Sequence, residues 1–88
     1  MLKITPKADA AGGTLLRLEG RLTGPAVEIL HDECRRLLDS DDAVTLDLGQ
    51  IAFADRDGLA LLRRLERRGV RLLKLTPFVA EALGAVED

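Results

Sequence analysis

The sequence predicts an α/β fold, a small mixed β-sheet with packed helices in the order β-β-α-β-α-β-α. Three observations carry this expectation. Two short apolar runs flank a Gly-Gly reversal near the N-terminus, which reads as a hairpin. Three later segments repeat apolar residues at the three-and-four spacing of a helix face, and compact apolar runs separate them. Strands joined through helices imply right-handed crossovers and parallel pairing over part of the sheet, while the hairpin adds an antiparallel pair.

The hairpin is read from Leu2–Lys7 and Thr14–Glu19, with Leu16 and Leu18 facing one way and Leu15, Arg17 and Glu19 the other. Between them, Ala10-Ala11-Gly12-Gly13 supplies the positive-φ positions of a tight reversal. Gly20 to Gly24 is expected as a turn, and Pro25 suits the first turn of a helix, where its missing N–H is not needed. Val27, Leu30, Cys34, Leu37 and Leu38 then form one apolar face, opposite Glu28, Asp32, Glu33, Arg35 and Arg36. Asp39 to Asp42 ends that helix with turn-forming residues. Ala43–Leu48 reads as a buried strand. A second helix starts at Asp55, carries Leu59, Leu61, Leu62 and Leu65 inward, and stops at Gly69. Val70–Leu75 is the last strand, and Thr76-Pro77 opens a final helix with Phe78, Val79, Ala82, Leu83 and Val86 as its apolar residues.

The chain has 88 residues, which predicts one domain over 1–88 with a single small core. Apolar residues make up 47% and charged residues 32%, a balance that favours a folded soluble chain over disorder. A net charge of -2 and only two aromatics, Phe53 and Phe78, argue against nucleic-acid binding, which needs a positive field or stacking platforms. No charged start with an apolar run and cleavage site opens the chain, and no stretch approaches a membrane span, so membrane insertion is not expected and a cytoplasmic location is. Cys34 is the one cysteine and lacks a partner at metal-ligand spacing, so no disulfide, metal or other cofactor is expected. Cys34 reads as core packing and His31 as a boundary residue. Asp47, inside an apolar strand, is expected to reach a neighbouring loop or helix N-terminus.

The segment Gln50-Ile51-Ala52-Phe53-Ala54-Asp55-Arg56-Asp57-Gly58-Leu59-Ala60-Leu61-Leu62 carries the most chemical information. Asp55 and Asp57 both fall at a helix start, where a carboxylate caps free N–H groups and meets the positive end of the helix dipole. Gly58 is a close-packing position. Asp55-Arg56-Asp57-Gly58 also imitates the DxDG motif of haloacid-dehalogenase-type phosphatases, which makes a small phosphatase using Asp55 and Asp57 a remote alternative. That motif continues with Thr or Ser where this chain has Leu59, and its later lysine and acidic pair need more chain than remains. A Ca²⁺ loop counted from Asp55 would close at Glu66, but a leucine-rich run fills the interval. One histidine assembles no nucleophilic triad, so an enzyme is not expected. Arg63, Arg64, Arg67, Arg68 and Arg71 give the second helix and its exit a basic side, relieved by Glu66.

At these residues the sequence resembles the STAS domain family, the module of bacterial anti-sigma-factor antagonists. Leu18-Glu19-Gly20-Arg21-Leu22 resembles the family's LxGxL exit from the second strand, and Val44-Thr45-Leu46-Asp47-Leu48 its hhlDls strand. Ile51 to Leu62 is similar to its v.fiDssGl..Ll loop and helix start. The three occur in order at the right spacing, and the resemblance covers about residues 14 to 84. It implies a protein-interaction module with a serine or threonine in the loop before the second helix that a GHKL-type anti-sigma-factor kinase phosphorylates, the unphosphorylated form binding that kinase. By position that residue falls on Asp57, with Arg56 in the place of the preceding Ser. The implied partner-binding residues are Asp55, Arg56, Asp57, Gly58 and Leu59, joined by Arg63 and Arg67 on the helix. The alternative partner implied by the family is the ATPase of a lipid or anion transport system, with the chain as its regulatory subunit.

Overall fold

The computed structural model describes residues 1–85. The elements are β1 (Leu2–Ala8), β2 (Thr14–Leu22), α1 (Pro25–Asp39), β3 (Val44–Ala54), α2 (Arg56–Arg67), β4 (Arg71–Leu73) and α3 (Pro77–Gly84), which is the expected order. The sheet runs β1-β2-β3-β4, antiparallel between β1 and β2 and parallel between the rest. The reversal between β1 and β2 uses Gly12 and Gly13 at φ 97° and 83°. Asp9 closes it by accepting the Ala11 N–H at 3.1 Å.

One core lies between one face of the sheet and the helices. Leu16, Leu18, Leu46 and Leu48 of the sheet join Leu30, Cys34 and Leu37 of α1, Leu61, Leu62 and Leu65 of α2, and Val79 and Leu83 of α3 in the same buried cluster. Side chains of the opposite phase, Leu15, Arg17 and Asp47, border a shallow basin on the other face. Asp47 reaches a neighbouring loop as expected. One carboxylate oxygen accepts the Gly49 N–H at 3.0 Å and the other stands 3.6 Å from the Lys74 ammonium. His31 is a half-exposed boundary residue beside Asp32. Cys34 is fully buried, and burial, aided by the charge of Glu33, pushes its thiol up to about 11.

Three boundaries differ from the sequence reading. Gly20–Gly24 is not all turn, because β2 continues to Leu22, and β3 runs on past Leu48 to Ala54 beside it. Two register shifts, each adding one residue to β3, explain why this was hidden: Arg17 to Glu19 spans Asp47 to Gln50, and Gly20 to Arg21 spans Ile51 to Phe53. Inward positions of β3 therefore fall at Leu46, Leu48, Ile51 and Ala54, and the two-residue period is lost after Leu48. β4 is only three residues long, since Lys74 turns to φ 56° immediately after it. Of the apolar residues of α3, Phe78 does not join the core and is 48% exposed. Val86 lies outside the described residues.

Candidate interaction surface

The junction of β3 and α2 sits at the carboxyl ends of the parallel strands, the end of an open α/β sheet where binding sites form. Its geometry is set by Asp55. The Asp55 backbone N–H donates to the Leu22 carbonyl at 3.2 Å, which extends the β2–β3 pairing to the start of the helix. One side-chain oxygen accepts the Gly58 N–H at 2.8 Å, so Asp55 is the N-cap that the sequence predicts. The other accepts the Gly24 N–H at 3.2 Å, tying α2 to the turn that enters α1. Both carboxylate oxygens of Asp55 are thus engaged by backbone, as in a structural clamp.

Gly58 is buried because α2 crosses β2 closely here. A Cβ at this position would be driven into the Leu22 carbonyl oxygen and would stand 3.0 Å from the Leu22 Cγ. Leu59 is half-buried and packs against the core. Asp55, Gly58 and Leu59 therefore face inward, and the residues this scaffold displays are Arg56 and Asp57, both exposed in the first turn of α2. The Asp57 carboxylate adds a second negative charge at the positive end of the helix dipole.

The basic side of α2 divides into two roles. Arg63 is half-buried, pairs with Glu66 at 3.1 Å, and donates to the Leu83 carbonyl at the C-terminal end of α3. It holds α3 against α2 and places a cation where the dipole of α3 is negative. Arg67 is exposed one turn further along.

A neighbouring feature was not legible in the sequence. Arg21 lies over the ring of Phe53, 5.0 Å from its centroid, and Phe53 in turn stacks on Phe78 at 5.8 Å with 28° between the rings. Arg21 and Phe53 are paired across β2 and β3, and Phe53 lies two residues before Asp55, so this stack borders the junction. Its one trace in the sequence is that the chain has just these two aromatics.

Residues 7–86 match the family model described as "Mlab, STAS domain". The chain belongs to the STAS domain family. Among solved structures, the STAS fold here is similar to the anti-sigma-factor antagonist SpoIIAA in its unphosphorylated form, with a TM-score of 0.74 and 18% identity over 93% of this chain and 82% of that one. It is also similar to the STAS domain of an anti-sigma-factor antagonist from Rhodobacter sphaeroides, with a TM-score of 0.61 and 23% identity over 84% of this chain and 87% of that one. No curated protein matches it. As a STAS domain it resembles anti-sigma-factor antagonists, and none of its described helices is long and apolar enough to cross a membrane.

Proposed function

We propose that this STAS domain is a non-catalytic, cytoplasmic protein-interaction module that presents the β3–α2 junction to a partner protein, with Asp57 in the place of the phosphorylated serine. The observation that carries this reading is the division of labour at the junction. Asp55 and Gly58 fix the backbone from behind, and Arg56 and Asp57 stand exposed in front. A loop whose backbone is held so firmly while its tip faces solvent is preorganised for recognition. The use of both Asp55 oxygens as hydrogen-bond acceptors supports a structural rather than a nucleophilic role for that carboxylate.

Asp57 changes the regulation that the family resemblance implies. A carboxylate does not take up a stable seryl phosphate, so this position lacks the on-off switch. It supplies one negative charge, against about -1.5 to -2 and three acceptor oxygens for phosphoserine. The module is therefore fixed in one state: held in a form that does not bind a kinase, or constitutively bound to another partner.

Purified wild-type and Asp57→Ser chains, each titrated against the GHKL-type kinases and the transporter ATPases of the same genome, test the proposal. A kinase that binds only the serine form indicates the fixed non-binding state. An ATPase bound equally by both indicates the constitutive state and the transport role. Stoichiometric phosphate transfer from ATP to Ser40 or a threonine of the wild-type chain would refute the absence of a switch.

A further inference from the structure

The strip formed by Arg21, Phe53, Phe78 and Glu81 has the layout of a surface that fits a second copy of itself. The outer faces of α1 and α2 are mostly charged: α1 shows Glu28, Asp32, Arg35, Arg36 and Asp39 beside one exposed apolar residue, Ile29, and α2 shows Arg64, Glu66 and Arg67. α3 differs. Val79 and Leu83 are buried in the core, yet the outward positions Phe78, Ala82 and Ala85 are apolar too, and Glu81 is the one charged residue of the helix. A helix that is apolar on both sides is normally covered on both. Here the outward side borders a hollow of about 380 Å³ between Phe78, Glu81, Ala82 and Ala85. Phe78 remains 48% exposed, and Leu75 beside it 40%.

The charges at the two ends of this strip have opposite signs. Arg21 lies against Phe53, Phe53 against Phe78, and Glu81 follows Phe78 by one turn of α3. Neither Arg21 nor Glu81 forms an ion pair among the described residues. A strip that reads cation, ring, ring, anion is complementary to its own copy after a two-fold rotation: rings meet rings, and each Arg21 meets the Glu81 of the other copy. Aromatic residues and arginine are the side chains enriched at protein interfaces. A different protein would need no such self-matching polarity.

We propose that the chain associates through this strip as a symmetric dimer, with stacked Phe53 and Phe78 rings at the centre and two reciprocal Arg21–Glu81 ion pairs at the ends. Four side chains are far fewer than the roughly 20–30 residues a side of a stable interface, so the dimer is weak and concentration-dependent.

Sedimentation velocity from about 5 µM to about 1 mM reads the association, because an interface this small dissociates within that range. The expected result is a rise from the 9.6 kDa chain mass towards twice that value. Arg21→Glu and Glu81→Arg each abolish the rise, because like charges then meet at both ends of the interface. Mixing the two variants restores it, since an Arg21→Glu chain and a Glu81→Arg chain form two opposite-charge pairs, and the double variant restores it alone. All these substitutions are on exposed side chains, and unchanged circular dichroism controls for folding. A monomer throughout the range, or a dimer indifferent to charge reversal, overturns the proposal, the latter by placing the interface elsewhere. An assembly disrupted by both single variants but not recovered on mixing overturns the two-fold pairing.

Discussion

Replacing Asp55 with alanine removes two backbone contacts at once, and their separate costs can be worked out. Loss of the N-cap bond to the Gly58 N–H costs about 0.5–2 kcal/mol. Loss of the bond to the Gly24 N–H, which is solvent-exposed and can be replaced by water, adds at most about 0.5–1.5 kcal/mol. The total is roughly 1–3.5 kcal/mol, a drop in Tm of about 4–28 °C for a chain of this size. Asp55→Asn keeps an acceptor for the cap but sets its NH2 against the Gly24 N–H, so it loses that bond and part of the dipole term and costs about 0.5–1.5 kcal/mol, less than Asp55→Ala because the cap bond survives. Asp57→Ala, on an exposed side chain, stays within about 0.5 kcal/mol of wild type. The assay is urea unfolding of the three variants, with m-values compared so that midpoints report stability alone. If Asp57→Ala destabilises as much as Asp55→Ala, or Asp55→Asn as much as Asp55→Ala, the division between an inward clamp and an outward display is wrong.

Gly58→Ala should cost about 1–3 kcal/mol in the same assay, because the added methyl meets the Leu22 carbonyl and overrides alanine's helix preference of about 1 kcal/mol; a stabilised variant would contradict the close crossing. Cys34, buried and with its thiol pushed up to about 11, should react with a thiolate-specific reagent at pH 8 at least about 100-fold more slowly in the folded chain than in urea. Equal rates would show that α1 does not hold it in the core. Asp9 accepts the Ala11 N–H, and this bond first, then one with Thr45, holds its carboxyl below the usual range. Its contribution is therefore present above the unfolded-state pKa and lost as pH falls through the lower folded value. The stability difference between wild type and Asp9→Ala should shrink towards zero on acidification, and a difference that grows instead would refute the assignment.

Local signals made much of this fold legible. Pro25 and the Leu30, Cys34, Leu37 face mark α1, Asp55 and Gly69 bracket α2, and Thr76 caps α3 by accepting the Val79 N–H at 3.3 Å. Where a non-local pairing decided the outcome, the pattern misled. The end of β3 is a strand because β2 holds it there through two bulges, and each bulge moves the inward side chains out of step with a two-residue period. At the junction, capping rules identified Asp55 as the N-cap, but Gly24, the second residue it holds, is distant in sequence. Arg63 read as one more member of a basic face, whereas its partner is the Leu83 carbonyl at the end of another helix. The place of the exposed Phe78 was not legible for a related reason. Helical spacing says which residues share a face with Val79 and Leu83, but Phe53 on the sheet decides where the ring lies.

On the proposed function, a partner reads the Arg56–Asp57 tip. Hydrogen exchange of the chain, alone and in complex with the kinase or ATPase that binds it in the titrations above, measures this directly. Residues 53–63 should gain protection on binding, and Arg56→Glu should weaken the complex while leaving the fold intact. Protection confined to the opposite face of the sheet around Arg17, Asp47 and Lys74, with residues 53–63 unchanged, would contradict the account.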